Sequence, residues 1–188
     1  MKKIEFNGKT IAKLGIFTAL SFVLTFLEIP LFPQANFLKL DFSNVFVLIG
    51  GFALGTPYGL IILIIKELLT LFKYFNYIGM LANIVMGVVM IIIPLCLYQK
   101  NRTLKTAIIG LVIATVLHTL ISLPVNYFIN FPFYTGGAPF MVTQTSINMF
   151  KGLWLYIALF NLIKGVSVSL LTLLLYKRLK NILHAFLG

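Results

Sequence analysis

Between Thr10 and Lys177 the chain is almost continuously apolar, and the few polar or helix-breaking clusters fall at intervals of about one membrane thickness. A helix crossing the hydrocarbon of a bilayer needs about 20 apolar residues at about 1.5 Å rise each. The pattern predicts six helices, over residues 10–27, 44–55, 57–75, 78–97, 105–129 and 151–176. Glu28, Pro30 and Pro33 end the first, and residues 34–43 read as a structured loop. Pro57, two residues after Gly55, restarts a helix, because proline suits a first helical turn and glycine the position past an end. Gln99, Lys100, Asn101 and Arg102 make a polar loop, and Pro124 is placed to bend the fifth helix. Residues 131–144, with Pro132, Gly136, Gly137 and Pro139, read as a long loop. The expected fold class is all-α, an integral membrane bundle of six transmembrane helices forming one domain over residues 1–188. No internal repeat is visible, which argues against an inverted-repeat architecture.

Composition sharpens this picture. The chain is 60% hydrophobic and 10% charged, with a mean hydropathy of +1.03. A globular core of 188 residues would not need so little polar surface. The first apolar run continues for a full span without a small-residue cleavage pattern, so it is read as a helix and not as a cleavable signal peptide. The net charge of +11 could suggest nucleic acid, but the charges flank apolar runs and form no stripe among polar residues. Lys2, Lys3, Lys9 and Lys13, then Lys100, Arg102 and Lys105, then Lys177, Arg178 and Lys180 put ten of fifteen basic residues on one side of the six crossings. Lys39, Lys73 and Lys151 fall on the other. The excess of Lys and Arg on cytoplasmic loops predicts that both termini are cytoplasmic.

Lys66, Glu67 and Lys164 lie inside the apolar runs. An ionised side chain at a helix centre costs roughly 2.5–3.5 kcal/mol on insertion scales, so such groups face a bundle interior, a cavity or a partner. They point to a polar site among the helices. No enzyme constellation accompanies it. The four acidic residues, Glu5, Glu28, Asp41 and Glu67, form no catalytic pair. Cys96 with His118 is the sole thiol–imidazole combination, and both are read as packing residues. One cysteine and two histidines far apart in sequence argue against a metal site. No Gly-x-x-x-x-Gly-Lys-Ser/Thr phosphate cradle occurs, so any energy supply must come from elsewhere.

Amides fill the place that carboxylates leave. Asn161 and Lys164 are three apart and share a helix face. Asn126 lies near the end of the fifth helix and Asn83 early in the fourth. Such groups can bond hydroxyls, carbonyls and ring nitrogens, although a single asparagine more often bonds one helix to another. Phe37, Phe42 and Phe46 in the first loop and Phe131, Phe133 and Tyr134 in the second are expected near one mouth, where they would either stack on a flat ligand or form an interfacial belt. In helix one Ala12, Gly15, Ala19 and Ser21 fall on or near one side, a face another helix can approach closely, inside the bundle or from a second protein.

Four motifs in this order resemble the S components of energy-coupling factor (ECF) vitamin transporters, and most closely the riboflavin-binding members. They are Phe37-Leu38-Lys39-Leu40-Asp41-Phe42-Ser43, like an FLxxDFS signature; Gly55-Thr56-Pro57-Tyr58-Gly59, like a GPxxG turn; Asn126-Tyr127-Phe128, like an NYF; and Phe160-Asn161-Leu162-Ile163-Lys164-Gly165, like an FNxxKG. The resemblance implies a six-helix protein of the bacterial cytoplasmic membrane, embedded in the lipid bilayer and not an enzyme. It would capture riboflavin or a related flavin from outside as a transported ligand, with no cofactor, no metal and no nucleic acid. It would associate with a transmembrane coupling protein and two ATPase subunits. It implies ligand contacts at Leu40, Asp41, Asn83, Asn126, Asn161 and Lys164, and a coupling-protein interface at Ala12, Gly15 and Ala19. Phe46 stands where riboflavin-binding members commonly carry proline, and Phe75-Asn76-Tyr77-Ile78 lacks a proline. Two alternatives stand beside this reading: an S component for another vitamin or flavin-like compound, and a small integral membrane enzyme or assembly factor.

Overall fold

The computed structural model describes the backbone of residues 7–187 and the side chains of residues 7–178. Lys2, Lys3, Glu5 and the side chain of Lys180 lie outside the described residues. Helix α1 runs Gly8–Leu24, α2 Asn44–Leu54, α3 Thr56–Thr70, α4 Tyr77–Lys100, α5 Leu104–Val125 and α7 Gln144–Leu187. A π-turn, Asn126–Asn130, carries α5 directly into the short helix α6, Phe131–Tyr134. Counting α5 and α6 as one rod, the described residues form the expected all-α bundle of six helices. The remaining structure is a small antiparallel ladder in the first loop, β1 Ile29–Pro30 against β2 Lys39–Leu40, pairing Ile29 with Leu40 and Pro30 with Lys39.

Several boundaries differ from those the apolar pattern predicts. Among the described residues three segments are long and apolar enough to cross a membrane: Tyr77–Lys100, Leu104–Tyr134 and Gln144–Arg178. Helices α1, α2 and α3 have 17, 11 and 15 residues. At about 1.5 Å per residue α2 spans only about 16 Å, half of a bilayer core. It is instead the most buried element, with Val45, Val47, Leu48 and Ile49 at 1% exposure or less. It packs against α1, α3, α4 and α7, so most of its apolar surface is covered by protein, with Phe46, Phe52 and Leu54 partly buried. The expected long loop at 131–144 is helical as far as Tyr134, because Pro132 sits in the first turn of α6, where it lacks no needed donor. Helix α7 begins at Gln144, seven residues before the predicted start, with the Ser146 and Thr143 side chains bonding the free amides of its first turn. Helix α3 stops at Thr70, before residue 75.

Local chemistry sets the other ends. Asn7 caps α1, accepting from the Thr10 N–H at 2.8 Å; Asn76 caps α4, accepting from Gly79 at 2.9 Å; Thr103 caps α5. Between α2 and α3 Gly55 takes φ +122°, a left-handed conformation that a side chain would strain, and Pro57 follows in the first turn of α3. The expected restart at Pro57 therefore holds.

Neighbouring helices meet in the order α1, α3, α4, α5, α7, and α2 packs among α1, α3, α4 and α7. The contact of α4 with α5 depends on one glycine. A Cβ placed at Gly110 would lie 2.6 Å from the Pro94 Cα, so the α5 backbone rests on α4 at its proline. Gly110→Ala should lower detergent-solubilised stability by about 1–3 kcal/mol, as overpacking does. Gly152→Ala on α7, where a Cβ meets nothing within 4 Å, should be neutral or stabilising. A pair of thermal melts followed by circular dichroism checks this; equal melting of both variants would refute it.

Candidate functional site

The first loop delivers the first polar group of the site. The β1–β2 ladder holds Lys39 and Leu40, and the chain then turns through Asp41 and Ser43 into α2. Asp41 Oδ1 accepts from the Ser43 N–H at 2.9 Å and from the Ser43 hydroxyl. Its other oxygen takes a hydrogen bond from Lys164 Nζ on α7 at 2.7 Å. Burial opposes ionisation of Asp41, but the Lys164 and Lys66 cations and these hydrogen bonds outweigh it and hold the carboxyl well below the usual carboxylate range.

Lys66 on α3 completes the network. Lys66 is buried, and its ammonium donates to Ser43 Oγ and Asn44 Oδ1, both at 3.1 Å, and stands 2.5 Å from Glu67 Oε1. The two lysines inside the bundle are thus each matched to one carboxylate, Lys164 to Asp41 and Lys66 to Glu67. Removing one partner would strand an uncompensated buried charge, which costs about 3–5 kcal/mol.

Beside this network lies a cavity of about 360 Å³, between α3, α4, α5 and α7 and beneath the first loop. Asp41, Asn83, Asn126, Asn161 and Lys164 all line it. Leu40 does not: its side chain is buried in a hydrophobic cluster with Ala35, Leu38, Phe131, Ile157 and Phe160. Sequence reasoning left out Asn44, Met86, His118, Asn130 and Phe160, which also line the cavity, as do Lys66 and Glu67, recognised in the sequence only as interior charges. Helical spacing from Asn126 gives the signal for two of these, His118 and Asn130, since 118, 122, 126 and 130 follow at intervals of four. Asn126 donates to the Ser122 carbonyl at 2.8 Å, and Asn130 donates to Asn126 Oδ1 at 3.0 Å, linking the π-turn back to α5. Asn161 likewise donates to the Ile157 carbonyl at 2.8 Å.

His118 belongs to the cavity and not to a thiol–imidazole pair. Its Nδ1 bonds the Met86 carbonyl at 3.1 Å, whereas Cys96 lies exposed ten residues further along α4, 3.9 Å from the Thr56 hydroxyl. The expected aromatic mouth is also redistributed. Phe37 and Tyr134 line the cavity. Phe131 is fully buried beneath Phe37, ring centroids 6.1 Å apart and edge to face. Phe42 and Phe46 pack against the core, and Phe133 is exposed.

A second cluster stands at the cavity mouth. Glu28 pairs with Lys39 at 2.6 Å and Lys73 at 2.9 Å and accepts from the Tyr74 hydroxyl; Lys73 also bonds the Thr25 carbonyl. Burial opposes ionisation of Glu28, but these partners lower its pKa to about 2. Asn76 donates to the Tyr134 hydroxyl at 2.9 Å. These bonds tie the first loop to the α3–α4 connection, and that connection to α6.

On α1 Ala12, Gly15 and Ala19 are exposed among Ile11, Ile16 and Leu20, and a Cβ at Gly15 would meet nothing within 4 Å. Ser21, expected on or near the same side, is instead fully buried. The small-residue face is therefore unpartnered within the described residues.

The family model for the ECF transporter, substrate-specific component, matches residues 9–176. The chain is 34% identical to "Riboflavin transporter RibU" of Staphylococcus aureus (strain TCH60), covering 94% of this chain and 93% of that one. It is 32% identical to the protein of the same name from Streptococcus thermophilus, over 94% of this chain and 85% of that one. A solved structure described as the S component of a bacterial ECF transporter superposes with a TM-score of 0.78 at 32% identity, covering 93% of this chain and 97% of that one. This bundle with paired interior charges and a polar cavity belongs to a transport family of the bacterial cell membrane: the chain is a member of the substrate-specific components of ECF transporters.

Proposed function

We propose that this protein captures riboflavin from outside the cell and delivers it for uptake as the substrate-specific component of an ECF-type transporter. The observation that carries this reading is the cavity that gathers Asp41, Asn83, Asn126, Asn161 and Lys164 from four segments of the chain. It occurs in a chain 34% identical, along nearly its whole length, to a protein named as a riboflavin transporter. About 360 Å³ falls in the roughly 300–1,000 Å³ range of small-molecule sites. Met86, Phe37 and Phe160 suit the apolar face of a flavin ring, and the amides and ammonium suit its carbonyls and hydroxyl chain. Ligand contacts are proposed at Asp41, Asn83, Asn126, Asn161 and Lys164, and the expected contact at Leu40 is withdrawn because that residue packs in the cluster beside the cavity.

Both termini are proposed to be cytoplasmic, with the cavity mouth outside. Energy comes from a transmembrane coupling protein and two ATPase subunits, since this chain carries no nucleotide-binding cradle. The exposed α1 face of Ala12, Gly15 and Ala19 is the proposed contact with the coupling protein.

Three measurements test these points. Flavin-fluorescence quenching should show Asn161→Ala and Lys164→Ala weakening riboflavin binding about ten- to a hundredfold, the effect of an unmet buried hydrogen bond. Asn148→Ala, at an exposed residue outside the cavity, should change little; unchanged affinity in both cavity variants would remove those residues from the site. Gly15→Trp or Ala19→Trp should preserve binding and reduce uptake, and loss of binding in both would make the face internal packing. In a Cys96→Ser background on intact cells, an impermeant thiol reagent should label a cysteine placed at Gly136 and not one at Arg102; the reverse pattern would invert the orientation.

A further inference from the structure

Ser43 stands at the N-cap of α2, where a serine side chain ordinarily accepts from an amide of the first helical turn. It makes no such bond. Its hydroxyl serves two charged groups instead. Lys66 Nζ can only donate, so Ser43 Oγ accepts from it, at 3.1 Å. The single hydrogen of the hydroxyl is then left for Asp41 Oδ1, which also accepts from the Ser43 N–H at 2.9 Å. The direction of every bond in this chain is therefore fixed. Lys66 donates to Ser43, Ser43 donates to Asp41, and Lys164 donates to the second oxygen of Asp41 at 2.7 Å.

The two ends of this chain differ in their access to the cavity. Asp41 and Lys164 line it, and their side chains keep 19% and 15% of their surface open. Ser43 does not line it and is 2% exposed. It borders only a smaller polar recess of about 120 Å³, shared with Thr25, Thr70 and Lys73. A lysine ammonium sits on a flexible four-carbon stem, so its direction is set by whatever holds it. Among the described residues Asp41 is the one hydrogen-bond partner of Lys164, and the other N–H groups of that ammonium remain for an occupant of the cavity. Asp41 is held in turn by two bonds from one residue to Oδ1, which restrict its rotation and leave Oδ2 for α7.

We propose that Ser43 is a positioning residue for ligand capture. It touches no ligand itself; through Asp41 it aims the Lys164 ammonium into the cavity. Lys66 strengthens that hold, because a hydroxyl that accepts from a cation donates more strongly in turn. A serine whose task was to start α2 would bond an amide of that helix, and this one spends its hydroxyl on the carboxylate that faces α7. The inference rests on the riboflavin reading and on Lys164 as a ligand contact within it.

A double-mutant cycle tests this. Riboflavin is titrated by fluorescence quenching into the full-length protein in detergent, as wild type, Ser43→Ala, Lys164→Ala and the double variant. Ser43→Ala should weaken binding about five- to twentyfold, less than Lys164→Ala, because the ammonium remains but is loosely held. With Lys164 already replaced, adding Ser43→Ala should change affinity by less than about twofold, as for two residues that act through one interaction. Losses that multiply in the double variant mean that Ser43 supports the turn or reaches the ligand by another route, and they overturn the inference. Wild-type affinity in Ser43→Ala overturns it too, as does wild-type affinity in Lys164→Ala. If Ser43→Ala is not recovered folded, Ser43→Cys, whose thiol is a weak donor, carries the same cycle; Lys164→Met replaces Lys164→Ala on the same condition. Absence of quenching in the wild type rejects the riboflavin reading and this inference with it, whereas wild-type quenching with multiplying losses rejects this inference alone.

Discussion

An ionised side chain among apolar helices must find a counter-charge or reach water, and this fold is arranged around meeting that demand twice. Lys164 reaches Asp41 across 123 positions of sequence. Lys66 is held by its neighbour Glu67 and by Ser43 and Asn44 at the start of α2. Each pairing draws different segments together. The first fastens the loop after β2 to α7, and the second fastens α3 to the same turn. A lone lysine in either position would carry an insertion cost of roughly 2.5–3.5 kcal/mol with nothing to offset it. Such pairs add little net stability over an apolar core, but breaking one is costly, so they fix which residues must meet.

That constraint places the cavity. Asp41 and Lys66 bring the first loop over the space between α3, α4, α5 and α7, and the Glu28 cluster ties the same loop to the α3–α4 connection. The centre of the bundle is filled by α2, which is too short to cross a membrane and is buried by its neighbours. Close backbone approach at Gly110 lets α4 and α5 form one wall. The polar groups then converge on an interior space, while the surface turned outward is apolar and suited to lipid.

Binding and energy supply are separated in such a design. A protein of this family recognises the solute, and the work of moving it comes from partners. An exposed small-residue face on α1 and a polar cavity among α3, α4, α5 and α7 occupy different parts of the bundle. A change at one can therefore be made with little direct contact to the other.

The sequence by itself determined the helical class, the number of helices and the polar residues worth watching. Uninterrupted apolar runs admit few other solutions in lipid, because every backbone polar group must be satisfied within its own segment. It also marked Asp41, Asn83, Asn126, Asn161 and Lys164, since amides and charges are conspicuous against such a background. The tertiary structure alone decided that Asp41 meets Lys164 and that His118 faces a cavity and not Cys96. It also decided that Leu40 and Phe131 pack in the core, and that α6 continues α5 as far as Tyr134, where Pro132 suggests a loop. These outcomes depend on which faces of distant helices come together. Residue type and local spacing set the direction of a side chain on its own helix, but the partner across the interface is fixed only when several weak packing preferences and two ion pairs are satisfied at once.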